Sequence, residues 1–177
     1  MMDYAVMRAW REGGLRHILA AGALAPRDDD APALLPPFSD CLARAKARPT
    51  FALTYLELGY DLCGRSDPAR RELWTGLIAH CGNMAGKTVF APCTAPRDNG
   101  LRFDAGSFWE CIGRLGPRYL LLFGEDAAEA LFPFARGLGD LWYSHNLTVL
   151  LFPGTAALLP FPNELSRQAG ERIKALQ

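Results

Sequence analysis

The segment Gly-Tyr-Asp-Leu-Cys-Gly at positions 59–64 carries one carboxylate, Asp61, directly beyond the apolar run Pro49–Leu58. A carboxylate lodged where a buried strand gives way to a loop is shielded from bulk water. There it can orient or deprotonate a water molecule, or stabilise a cationic transition state. The plainer use of the same residue is to cap the loop by accepting main-chain amides, with Gly59 and Gly64 permitting the tight turn. The residues alone leave both uses open. Arg65, Arg70, Arg71, Arg97 and Arg102 cluster in the stretches beyond residues 58 and 93, which suits either a basic rim for nucleic-acid phosphates or a solvated polar face.

Other site chemistries lack their residues. His17, His80 and His145 stand apart, none with a second His, Glu or Cys at metal-ligand spacing. Neither the Gly-x-Ser-x-Gly elbow of serine hydrolases nor a glycine-rich phosphate loop occurs. The five cysteines form no Cys-x-x-Cys pair and no secretory leader precedes them, so reduced thiols in a cytoplasm are expected. No apolar stretch approaches the roughly 20 residues of a membrane helix, so a soluble protein with no membrane partner is expected. Acidic and basic side chains cancel at 19 each, and a chain without basic excess holds DNA only through a local patch.

The elements that must position these groups follow a regular order. Residues 1–36 stand apart as an amphipathic helix broken at Gly13-Gly14 and a connector rich in proline and aspartate. They predict an extension that packs on the domain or on a partner. Residues 37–177 read as a single α/β domain, because four apolar runs alternate with helical patterns. Strands are predicted over Thr50–Leu58, Lys87–Cys93, Arg118–Gly124 and Leu147–Phe152. Helices are predicted over 39–47, 66–82, 104–116, 125–135 and 163–177, the second with Ser66 or Asp67 as its cap and Pro68 in its first turn. A run such as Tyr-Leu-Leu-Leu-Phe has no polar interruption, which implies burial on both faces. The expected fold is a three-layer α/β/α sandwich around a mostly parallel four-stranded sheet, with any ligand cleft beyond the carboxyl ends of the strands.

Four segments should meet at that cleft: Gly-Tyr-Asp-Leu-Cys-Gly, Ala-Pro-Cys-Thr-Ala-Pro-Arg-Asp-Asn-Gly, Gly-Glu-Asp-Ala-Ala-Glu and the proline-rich stretch from Phe152 to Glu164. In their order and spacing they resemble the motifs of the uracil-DNA glycosylase superfamily, from about Phe51 to Lys174. The resemblance implies a four-stranded parallel sheet between helices and a base flipped out of DNA for hydrolysis of its glycosidic bond. It places Gly59 and Asp61 on the glycine and the water-orienting aspartate of the first motif. Phe161-Pro162-Asn163 falls on the closing His-Pro-Ser-type motif, so Phe161 and Asn163 join Gly59, Tyr60 and Pro92 as pocket candidates. Arg65, Arg97 and Arg102 become candidates for DNA contact.

Three positions depart from the motifs. Leu62 replaces a proline, Pro92 or Ala91 replaces the asparagine that reads the pyrimidine edge, and Phe161 replaces the histidine that steadies the departing base. Loss of one such donor commonly costs about 10²–10³ in rate. A proline offers no amide for discriminating bases. Some members hold a four-iron cluster through four cysteines, and Cys41, Cys93 and Cys111 lie near three of those positions. Arg44 stands at the spacing of the missing fourth, and no cofactor is expected.

Two functions of different class follow. One is a divergent glycosylase or nucleobase-binding enzyme in which Asp61 positions water while Tyr60 and Phe161 line the pocket. The other is the scaffold without the chemistry: a protein-interaction module in a DNA replication or repair assembly, as the psi subunit of the bacterial clamp loader is, with residues 1–36 as the partner-binding segment.

Overall fold

The computed structural model describes residues 33–45, 48–133 and 139–176. The expected extension over 1–36 lies almost wholly outside them, as does the end of the helix expected over 125–135. In chain order the first half comprises α1 (Phe38–Arg44), β1 (Phe51–Tyr55), α2 (Leu58–Leu62), α3 (Pro68–His80), β2 (Thr88–Phe90), β3 (Thr94–Arg97) and β4 (Gly100–Phe103). The second half comprises α4 (Ala105–Leu115), β5 (Tyr119–Phe123), α5 (Glu125–Leu131), β6 (Leu141–Ser144), β7 (Leu147–Phe152), α6 (Thr155–Leu158) and α7 (Pro162–Lys174).

Five strands pair in the order β2-β1-β5-β7-β6. The first four run parallel and correspond to the four apolar runs, whereas β6 is antiparallel to β7. Side chains alternate across the sheet and so divide the core in two. Ala52, Leu120, Leu122 and Val149 pack with Phe108, Cys111 and Ile112 of α4, Cys41 of α1 and Leu131 of α5. Phe51, Leu53, Leu121 and Phe123 pack with Leu73, Trp74 and Leu77 of α3 and Ala169 and Ile173 of α7. The chain is therefore α/β, with a mainly parallel sheet and helices against both faces.

The helices begin where their sequences direct. Asp67 caps α3 by accepting from the Ala69 amide at 2.8 Å, with Pro68 in the first turn. Asp104 caps α4 by accepting from the Ser107 amide at 3.0 Å, and Gly116, at φ 59°, ends that helix in the left-handed conformation.

Three expectations need correction. Among the described residues the sheet has five strands, because Leu-Trp-Tyr-Ser returns onto β7 through a turn at His145-Asn146, both at positive φ. That turn contains no glycine, the usual hairpin signal. The first strand stops at Tyr55 and not at Leu58, since Leu58–Leu62 coils into a short helix that carries Gly59, Tyr60 and Asp61. Hydrophobicity alone does not separate a buried strand from a buried helical turn. Finally, the stretch between the strand expected to end at Cys93 and the helix expected from residue 104, where no strand is predicted, holds the β3–β4 hairpin, paired from Thr94↔Phe103 to Arg97↔Gly100. Its short strands and internal Pro96 hide it in the sequence.

Gly59 is where α2 meets this hairpin. A Cβ at that position would stand 2.5 Å from the Thr94 carbonyl oxygen and 2.7 Å from its Oγ1. The Thr94 hydroxyl is itself fixed, donating to the Leu56 carbonyl at 2.7 Å. Gly59→Ala should therefore displace α2 and lower stability by about 2 kcal/mol in urea unfolding, whereas Gly76→Ala, with open space around the new methyl, should not destabilise.

Candidate functional site

Strand β1 has β2 on one side and β5 on the other, so the chain reverses direction across the sheet beside β1. In parallel α/β sheets the ligand crevice lies outside the carboxyl ends at such a reversal. Asp61 stands there, six residues past the end of β1.

Its carboxylate is fully engaged. Oδ2 accepts from the Tyr55 hydroxyl at 2.7 Å and from Arg70 Nε at 3.0 Å. Oδ1 accepts from Arg70 Nη2 at 2.6 Å and from the Asp67 amide at 3.3 Å. A carboxylate offers about four lone-pair sites, and these donors fill them. The pairing with Arg70 is the two-pronged form that fixes both position and orientation. It is also shielded, the side chains of Arg70 and Asp61 being 14% and 10% exposed.

The electrostatics follow from these contacts. Burial alone would raise the pKa of Asp61, but the hydrogen bonds from Arg70 and Tyr55, the guanidinium charge and the Asp67 amide outweigh it and hold the carboxyl below its ordinary value. Burial and the adjoining carboxylate push the Tyr55 hydroxyl well above the ordinary phenol range, so it remains a neutral donor. The Asp61 hydrogen bond raises Arg70 further. The group is an ionised pair held by a phenol.

Other contacts tie the neighbouring strand ends together. Thr155, in the first turn of α6, donates to the Glu57 carboxylate with its Oγ1 3.0 and 2.9 Å from the two oxygens. The Cys93 thiol donates to the Tyr55 carbonyl at 3.6 Å, and burial pushes its pKa up to about 11. A Cβ on Gly124 would lie 3.6 Å from Gly154 Cα, which shows how closely the chain leaving β5 passes the chain leaving β7. Residues from the fifties, nineties and one-fifties thus share one edge of the sheet.

The other expected site residues are dispersed. Gly59 and Pro92 are buried, and Tyr60 is half-buried with the Arg65 guanidinium 5.6 Å from its ring centre. Arg65, Arg97 and Arg102 are exposed. Phe161, 66% exposed, precedes α7 without a side-chain cap. Asn163 lines a groove of about 680 Å³ between α3 and α7, together with Pro68, Arg71, His80, Ser166 and Arg167. Among the described residues, no hydrogen bond or ion pair joins Asp61 to Pro92, Phe161 or Asn163. Sequence reasoning found Asp61 but missed Tyr55 and Arg70 as its partners. They lie six residues before and nine after it, with a turn and a helix start between, and no local periodicity links them.

The cysteines do not assemble as a cluster site. The Cys111 thiol donates to the Phe38 carbonyl at 3.5 Å, whereas the Cys93 thiol bonds to β1. No group of three or more His, Cys, Asp or Glu among the described residues is placed to hold a metal ion. Among the same residues, no helix is long and apolar enough to cross a membrane. The chain matches no protein-family model and no curated protein.

Arg70→Met should leave the Asp61 carboxylate shielded without its counter-charge and lower stability by about 2–3 kcal/mol at pH 7. Because the folded pKa of Asp61 is depressed, its contribution is complete above the unfolded value near 4 and is lost as pH falls through the folded value. The wild-type advantage over Arg70→Met should therefore shrink as urea unfolding is repeated from about pH 5 down to about pH 2.

Proposed function

We propose that this chain is a uracil-DNA-glycosylase-like scaffold that serves as a binding module in a DNA replication or repair assembly and does not excise bases. The observation that carries this reading is the occupancy of Asp61. A water-orienting aspartate needs a free lone pair directed at the water, and the acceptor sites of Asp61 are taken by Arg70, Tyr55 and the Asp67 amide. The chemistry of the remaining motif positions agrees. Pro92 has no group for reading a base edge, and Phe161 has none for steadying a departing anion. Four parallel strands between helices are what the resemblance implies for the scaffold. Residues 1–36 are the proposed contact for the protein partner.

One observation favours the enzymatic reading instead. Asp61 is held ionised at the strand reversal, where a carboxylate could stabilise a cationic sugar. In that reading Tyr60 lines the pocket and the exposed Arg65, Arg97 and Arg102 contact DNA. A single assay separates the two. Purified protein is incubated with single- and double-stranded DNA carrying uracil, hypoxanthine or other lesion bases, and free base is measured beside an Asp61→Asn control. The scaffold reading expects no release above background from either protein. Release by the wild type that disappears in Asp61→Asn would establish the enzyme.

A further inference from the structure

The two outer strands of the sheet are finished differently. Strand β2 has three residues, follows Lys87 and precedes Pro92. Shortness, lysine and proline are the devices that keep a sheet edge from pairing with another chain. Strand β6 reads Leu141-Trp142-Tyr143-Ser144 and has neither a charge nor a proline. Its outward bonding groups follow from its register. The Leu151 amide donates to the Asp140 carbonyl at 2.9 Å, and beyond that pair Trp142 lies opposite Val149 and Ser144 opposite Leu147. Bonded and non-bonded pairs alternate in an antiparallel ladder, so Leu141 and Tyr143 turn their amides and carbonyls away from β7. Among the described residues no strand pairs with that side. Trp142 is buried, edge-on to Phe132 with ring centres 5.4 Å apart. Leu141 and Tyr143 project from the opposite face, 47% and 79% exposed.

We propose that β6 pairs with β6 of a second copy of this chain, antiparallel about a two-fold axis at Trp142, so that two sheets join edge to edge. That axis sets Leu141 opposite the partner's Tyr143, and Tyr143 opposite the partner's Leu141. Each such pair exchanges the main-chain hydrogen bonds that β7 leaves open. The side chains of each pair stack as an aromatic on an aliphatic across the strands. Asp140, whose carboxylate lies 3.6 Å from the Arg172 guanidinium, falls opposite the partner's Ser144, so no like charges face each other across the axis. Bonding residues and apolar pair both repeat under the same axis, which is the self-complementarity a two-fold interface requires.

Sedimentation equilibrium of the full chain across a concentration series is the test. The wild type should be a dimer. Tyr143→Lys puts a charge on the edge, and Leu141→Pro deletes only the amide that points away from β7. Each should weaken the dimer by about 100-fold or more while leaving the thermal transition of dilute protein in place. A second measurement does not depend on those variants folding well. In a Cys63→Ser background, Leu141→Cys protein mixed with Tyr143→Cys protein and oxidised glutathione should give a cross-linked dimer, and Leu141→Cys alone should give little. A wild type that stays monomeric at hundreds of micromolar, two edge variants that dimerise as the wild type does, or the absence of the mixed cross-link would each overturn the proposal.

Discussion

Burial of β5 on both faces is the constraint from which the rest of the architecture follows. Its five residues are buried and pair on one side with β1 and on the other with β7. A strand so placed has no solvated face, so helices must cover the sheet on both sides. Leu120 and Leu122 face α4 and α5, while Tyr119, Leu121 and Phe123 face α3 and α7. Parallel pairing also forces the connections between β1, β2, β5 and β7 to cross the sheet, which sends the carboxyl ends of these four strands toward the same edge. With β2 and β5 on opposite sides of β1, the reversal falls beside β1, and Asp61 falls at the reversal.

What was legible in the sequence was what burial dictates. Runs such as Tyr-Leu-Leu-Leu-Phe and Leu-Thr-Val-Leu-Leu-Phe have no helical polar stripe and no room for one, and both are strands. The helix with Ser66 or Asp67 as its cap and Pro68 in its first turn, α3, also stood out, because such a cap satisfies amides that have no partner within the helix. The illegible parts depend on contacts between segments. Leu58 ends the apolar run yet begins a helix, which Gly59 lets close onto Thr94. Strand β6 exists because β7 offers it an edge. Ser-His-Asn gives no turn signal apart from an asparagine tolerant of positive φ.

The same distinction applies to the site. Asp61 was visible as a carboxylate after a buried run, and its position at the strand reversal agrees with that. Its state was not visible, since the state depends on Arg70 and Tyr55, which arrive from a helix and a strand. Arginine among several exposed arginines carries no mark of which one is shielded. Arg70 differs from Arg65, Arg97 and Arg102 because the Asp67 cap fixes the start of α3 and turns its first-turn arginine toward α2. The cap thus acts twice, by ending the loop with its side chain and by sending its own amide to Asp61.

Counting lone pairs bears on the two uses of Asp61 raised by its sequence context. To take a proton from water, Asp61 would have to release at least one donor, and each release has a cost. Losing Arg70 strands a shielded charge, losing the Tyr55 hydroxyl strands a buried phenol, and losing the Asp67 amide loosens the start of α3. These costs fall on the fold and are incurred before any chemistry begins. In an enzyme they would have to be recovered from substrate binding. The arrangement that makes Asp61 immobile is therefore the one expected of an anchor, joining the end of β1, the turn of α2 and the start of α3 at the reversal of the sheet.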